Sequence, residues 1–222
     1  NKENAKEIGA VINIGDSTMN ISIFNRGILT NTEVLDFGGQ NIDNDISYVY
    51  KIPRSEAEFI KENLGLAHKR LSSPSETLVI TDKMGDTVKI NQYEVSEIIM
   101  SRLEEMLNLA KKQINLLTKK EISYIIITGG LTEIKDFSIL VEEMFGTSVT
   151  IGNVNELGAR DNKYSTSVGL IKYYNGRLNL RDKDFSIFTE EEIEEFSGTS
   201  KRVNISEDSI LGKLLEICLA FL

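Results

Sequence analysis

The chain has 222 residues, 34 acidic and 25 basic, for a formal net charge of −9, with one His and one Cys. A composition of 41% hydrophobic and 27% charged residues is globular rather than disordered, and the acidic balance excludes general nucleic-acid binding, which needs a basic face. Cys218 alone cannot form an intrachain disulfide, nor can it build a zinc site with His68, so a reducing compartment and no resident metal are expected. No apolar run approaches the roughly 18 residues that span a bilayer, and the first residues show no signal-peptide core, which places the chain in the cytoplasm. With Asn rather than Met at position 1, the sequence reads as a piece of a longer chain.

The predicted elements begin with residues 10–14, a mostly apolar strand that Gly15-Asp16-Ser17 turns back into Ile21, Ile23 and Phe24. Asn25-Arg26-Gly27 turns again into residues 29–37, so the opening reads as an antiparallel meander. Gly38-Gly39 ends it, and amides and acids from Asn41 to Asp45 mark a helix start. A second helix fits residues 55–63 after Pro53, with Ala57, Ile60 and Leu64 on one face. Residues 77–80 and 87–90 form a hairpin around residues 82–86. Asn91-Gln92-Tyr93-Glu94 resembles a capping box that opens a long helix, with Val95, Ile99, Leu103, Met106, Leu107, Ala110 and Ile114 at helical spacing. Residues 66–120 therefore read as a small inserted subdomain. A strand at 124–127, a Gly129-Gly130 turn, a helix at 136–145, a strand at 149–151 and a helix at 164–174 complete an α/β layer on a mixed sheet. Residues 175–208 carry nine acids against five bases and few core formers, a linker composition, before an apolar segment at 209–222.

Three constellations carry chemistry. The strand-to-turn segment Asn13, Gly15, Asp16, Ser17 and Thr18 offers backbone amides that can form an anion nest, with Asn13 and Asp16 near any magnesium on the phosphates; it also suits a polar hairpin turn. Gly129 and Gly130 after a buried strand let a flat ligand approach the backbone, or serve a tight turn. Glu58 and Lys61, three apart on one helix, share a face that suits a ribose and purine or plain solvent. His68, in a polar stretch without a nucleophile or acid at catalytic spacing, reads as a surface histidine.

The order of these motifs resembles the second half of the nucleotide-binding fold shared by actin and heat-shock chaperones, and more closely the bacterial cell-division FtsA family. Gly38-Gly39-Gln40-Asn41-Ile42-Asp43-Asn44-Asp45-Ile46 is similar to that family's Gly-Gly-x-x-Ile-x-Asn-Asp-Ile segment. Residues 55–65 resemble its Glu-Ala-Glu-x-x-Lys helix, residues 126–130 its adenosine motif, and residues 158–170 its Gly-Ala-Arg and Tyr-Ala-Thr-Ala-Val-Gly-Leu run. The resemblance implies an actin-like (RNase H-like) α/β half-domain, with residues 7–65 and 121–175 as subdomain IIA and 66–120 as inserted subdomain IIB. It makes Gly15, Asp16, Ser17 and Thr18 the second phosphate loop, sets Gly129 and Gly130 by the adenosine, and sets Glu58 and Lys61 by the ribose and base. Where Asn13 stands the family has an Asp, so the amide lacks the charge that a hydrated magnesium would meet. The implied cofactor is ATP with Mg, bound together with an N-terminal half expected before residue 1, and catalysis is at most slow.

The same resemblance implies a cell-division role: tethering FtsZ filaments to the cytoplasmic face of the membrane, with self-association. The inserted subdomain would take the FtsZ C-terminal peptide, and the basic positions Arg102, Lys111 and Lys112 on the long helix suit an acidic partner or a solvated face. In the tail, Ile210, Leu211, Leu214, Leu215, Leu219, Phe221 and Leu222 flank a narrow polar strip of Lys213 and Glu216. Fourteen helical residues span about 21 Å, too short to cross a bilayer and long enough to lie in its interface. A type IV pilus assembly protein of the PilM kind, or a degenerate nucleotide-binding module, is the alternative.

Overall fold

In the computed structural model, residues 7–82 and 84–181 are described. The chain divides into two units, Asn1–Ile171 and Lys172–Leu222. Of the linker expected at residues 175–208, residues 175–179 are helical and continue the helix expected at 164–174, while residues 182–208 and the apolar tail expected at 209–222 lie outside the described residues.

The meander is present as β1 (Ile8–Ile14), β2 (Met19–Asn25) and β3 (Ile28–Leu35), antiparallel throughout. Period-2 alternation sends Ala10, Ile12 and Ile14 of β1 and Met19, Ile21 and Ile23 of β2 to one buried face. After the hairpin β4 (Thr77–Thr81) and β5 (Thr87–Asn91), two more strands, β6 (Tyr124–Thr128) and β7 (Val149–Ile151), add to the far side of β1. The five-stranded order is β3-β2-β1-β6-β7, with β1, β6 and β7 parallel. The carboxyl ends of three strands therefore open at one edge, where α/β sheets bind ligands. At the other side β3 is an exposed edge strand, with Ile28, Leu29 and Val34 all more than half exposed.

Among the described residues, five α-helices accompany the sheet. α1 (Gly39–Tyr50) buries Gly39, Ile42, Asp43 and Ile46, and α2 (Arg54–Asn63) buries Ala57, Ile60 and Lys61. Both stripes follow helical spacing, and each carries one charge among apolar residues. α3 (Gln92–Leu117) opens as the sequence predicts: the Asn91 Oδ1 accepts from the Glu94 amide at 2.9 Å. Its stripe from Val95 to Ile114 belongs to the same apolar cluster as β1, β2, α1 and α2, while β4 and β5 form a separate two-stranded sheet. α4 (Phe137–Phe145) adds Phe137, Leu140 and Val141 to the cluster, and α5 (Ser165–Asn179) follows a short 3-10 turn at Asn162–Tyr164.

His68 corrects the sequence reading. It is 4% exposed, its Nε2 lies 2.8 Å from Glu143 Oε2 of α4, and its Nδ1 accepts from the Arg70 amide. The polar neighbours Lys69 and Arg70 hid a ring that an acid 75 positions away takes inside. Glu143 is held below the usual carboxylate range by the His68 hydrogen bond, with Arg70 helping.

Candidate functional site

A cleft of about 450 Å³ opens at the carboxyl edge of the parallel strands, a volume typical of small-molecule sites. Gly15 and Asp16 after β1, Gly39 of α1, Glu58 and Lys61 of α2 and Gly130 after β6 all line it. Of the nine residues expected to meet a nucleotide, five thus converge: Gly15, Asp16, Glu58, Lys61 and Gly130. Glu62, Glu133, Lys135, Asp161 and Lys163 complete much of the wall.

The loop after β1 is organised by the start of α1. The Gly39 amide donates to Gly15 O at 3.1 Å and the Gln40 amide to Asp16 O at 2.9 Å. The Gln40 side chain donates to Asp16 Oδ2 at 2.5 Å and to Ser17 Oγ at 2.7 Å. Gly38 is required by closeness: a Cβ there would sit 2.3 Å from Asp16 O. The first amides of α1 are therefore spent on the loop's carbonyls instead of being open to an anion. Within the turn, the Gly15 amide is also spent, on Thr18 O at 2.9 Å.

Asn13, Ser17, Thr18 and Gly129 do not line this cleft. Asn13 Nδ2 donates to Thr166 Oγ1 at 3.0 Å, tying β1 to the start of α5. That leaves Asn13 and Asp16 engaged with different partners. Gly129 has φ +104, and a Cβ on it would lie 2.2 Å from Ile14 O and 2.8 Å from Asn13 Oδ1. The turn it makes is clamped by Thr132 Oγ1, which donates to Gly129 O at 2.8 Å and accepts from Asn162 Nδ2 at 3.0 Å. The Asn162 amide donates to Glu133 Oε1 at 2.7 Å, and this brings the segment containing Asp161 and Lys163 to the cleft rim.

Lys61 is the most constrained charge of the wall. Its Nζ lies 2.7 Å from Asp43 Oδ1, and both side chains are buried. Burial pushes the Asp43 carboxyl above the ordinary range, Lys61 pulls it down and Glu58 adds to the rise. Reading the sequence missed Asp43, yet a signal existed: it lies one turn beyond Gly39 and beside Ile42 on the buried stripe of α1. Gln40, Lys135, Asp161 and Lys163 were missed as well, the last three because their segments meet the cleft only through the fold.

Two glycines test whether the cleft suits a ligand. Gly39 and Gly130 both line it, and a Cβ on either would reach 3.4 Å from the Lys61 Nζ or from the Lys163 Cβ, narrowing the space between these side chains. Lys61, Lys135 and Lys163 offer donors, and Asp16, Glu58, Glu62, Glu133 and Asp161 offer acceptors, a mixture that suits a polar ligand with hydroxyl groups. Among the described residues, no group of three or more His, Cys, Asp or Glu is placed to hold a metal ion.

The three basic positions of α3 do not form one surface. Arg102 turns to α1, with Nε 2.6 Å and NH2 2.8 Å from the two oxygens of Asp45, and NH1 2.6 Å from Glu105. Lys111 lies about half a helical turn around from it. Its Nζ donates to Met144 O at the end of α4 and sits 4.7 Å from the centre of the Phe145 ring. Lys112 is exposed.

Comparison with known proteins decides the family. The model of the family described as cell division protein FtsA matches residues 10–169. This chain belongs to the FtsA family. FtsA of Bacillus subtilis is 32% identical over 201 residues, covering 88% of this chain and 45% of the relative. FtsA of Escherichia coli is 30% identical over 187 residues, covering 77% and 44%. The chain thus spans less than half the length of the curated relatives it matches. Among solved structures, MreB5 of Spiroplasma citri bound to ADP aligns with a TM-score of 0.65 at 18% identity, over 79% of this chain and 56% of that one. That likeness establishes the actin-like fold expected from the motif order. No helix among the described residues is long and apolar enough to cross a membrane.

Proposed function

We propose that this chain forms one wall of an ATP cleft in an FtsA-type division protein that tethers FtsZ filaments to the cytoplasmic membrane. The observation that carries it is the convergence of Gly15, Asp16, Glu58, Lys61 and Gly130, from three separate segments, on one cleft. ATP would take its adenosine between α2 and the Gly130 turn and its phosphates toward Gly15. The three lysines of the wall supply hydrogen-bond donors, and the bare glycines allow close approach. Any magnesium would be held mainly by the phosphates and water, since the described residues offer no acid cluster. The role is that of a conformational and assembly ligand, with little turnover by this chain. Residues 66–120 are read as the subdomain that takes the FtsZ C-terminal peptide, with Lys112 the exposed member of the three basic positions.

The apolar segment at 209–222 supplies the membrane contact in this reading. Seven large apolar residues flank Lys213 and Glu216, so insertion into the interface dominates over charge attraction. Two experiments test the proposal. A fluorescent ATP analogue titrated with Mg and the chain, joined by the N-terminal half of a relative, is expected to bind saturably and to be displaced by unlabelled ATP. Liposome co-sedimentation is expected to vanish when the chain ends at Asp208. Unchanged sedimentation after that truncation overturns the anchor, and no nucleotide binding with or without the N-terminal half of a relative overturns the cleft.

A further inference from the structure

The buried charge pair beside the cleft calls for its own explanation. Asp43 is fully buried on α1, and neither carboxyl oxygen has a well-aligned hydrogen bond among the described residues; the Lys61 ammonium, 2.7 Å from Oδ1, compensates its charge. Its neighbour Lys61, from α2, is the one residue of the pair that reaches the cleft wall. A carboxylate held dry by a single ammonium is a poor device for stability, since desolvation of both charges offsets most of their attraction. It is an effective device for fixing a position. A lysine has a flexible four-carbon stem and loses several rotamers' worth of entropy whenever it is held. Here that cost is met in the empty fold: the Nζ is fixed 2.7 Å from Asp43 Oδ1, and a side chain on Gly39 at the head of α1 would begin 3.4 Å from it. Because the pair is close to neutral, it presents a directed donor without adding net positive charge to the wall.

We infer that Asp43 is a positioning residue that pins the Lys61 ammonium on the cleft wall, preset to donate to an adenine nucleotide. The nucleotide clause rests on the function proposed above; the positioning clause does not. Asp43 touches no ligand in this scheme and acts only through Lys61.

The test uses the full chain, D43N, K61M and the D43N/K61M double variant, with folding followed by circular dichroism. Lysine reactivity toward acetic anhydride, resolved by mass spectrometry, needs no nucleotide. Lys61 is expected to react several-fold more slowly than the exposed Lys135 in the parent, and as fast as Lys135 in D43N. If D43N does not fold, D43S leaves room for water beside Lys61 and serves instead. Binding of a fluorescent ATP analogue is expected to weaken about tenfold in D43N and in K61M, the lower end for a lost bond to a charged group. The double variant should bind no more weakly than K61M. Lys61 equally protected in parent and D43N overturns the inference, as does a double variant whose loss is the product of the two single losses. A parent that binds no nucleotide, alone or with the N-terminal half of a relative, while D43N releases Lys61, overturns the ATP cleft and supports Asp43 as the residue that positions Lys61.

Discussion

Replacing Gly129 with Ala tests the geometry on which the cleft depends. Gly129 has φ +104 and ψ 166, a region essentially closed to residues with a side chain, at a cost of about 1–3 kcal/mol. The new Cβ would also lie 2.2 Å from Ile14 O and 2.7 Å from Ile14 C. Those atoms are backbone at the end of β1, so no side chain can swing away, and relief requires β1 and β6 to part at their carboxyl ends. Strain and clash together put the loss at about 3 kcal/mol or more, toward the large end for single substitutions. For a chain of this size that lowers Tm by roughly 6–12 °C. Gly146 after α4 provides the control: φ is +75 and ψ −165, with nothing within 4 Å of a Cβ. Urea unfolding followed by circular dichroism measures both variants. Gly146→Ala should show the backbone cost alone, and Gly129→Ala should exceed it by about 1–2 kcal/mol. Equal losses would refute the close approach of the Gly129 turn to β1.

Three further outcomes follow from the packing. Leu103→Ala removes a fully buried side chain from the cluster that α3 shares with the sheet, so urea unfolding should lose about 2–5 kcal/mol and remain one transition. Asn91→Ala should cost about 1 kcal/mol by thermal melting, and Asn91→Ser should recover most of it, because the cap bond to the Glu94 amide needs a side-chain oxygen. Glu143 is more acidic in the fold than in the unfolded chain, so its contribution is present above its unfolded pKa and is lost as pH falls through the lower folded value. Urea midpoints measured from about pH 6 to about pH 3 should therefore fall less steeply for His68→Ala than for the parent.

Local patterns carried much of this architecture in the sequence. Alternation from Ala10 to Ile23 gave the meander, and the oxygen of Asn91 gave the start of α3. Gly15, Glu58, Lys61 and Gly130 were placed by motif order, and the fold brings them to one cleft. What stayed hidden depends on partners distant in the chain. His68 is buried by Glu143, and Asn13 is spent on Thr166. Nothing near either residue announces the other. Two failures were of another kind, because helical geometry alone held the answer. Arg102 and Lys111 stand nine residues apart, which turns them to opposite sides of α3, and Asp43 falls on the same stripe as Ile42 and Ile46. Charge counting looked past both.

The parallel pairing of β1 with β6 sets a timetable for synthesis. Gly9 pairs with Tyr124, about 115 positions later. Translation at about 5–20 residues per second leaves roughly 6–23 s between the emergence of the two strands. The meander of β1, β2 and β3 can assemble early, since its turns are short. Through that interval the inner edge of β1, with Ala10 and Ile12 on its apolar side, waits on the ribosome without its neighbour. A nascent chain stalled before residue 124 should be the one that holds trigger-type chaperones longest, and release should coincide with the appearance of Ile125–Ile127 outside the exit tunnel.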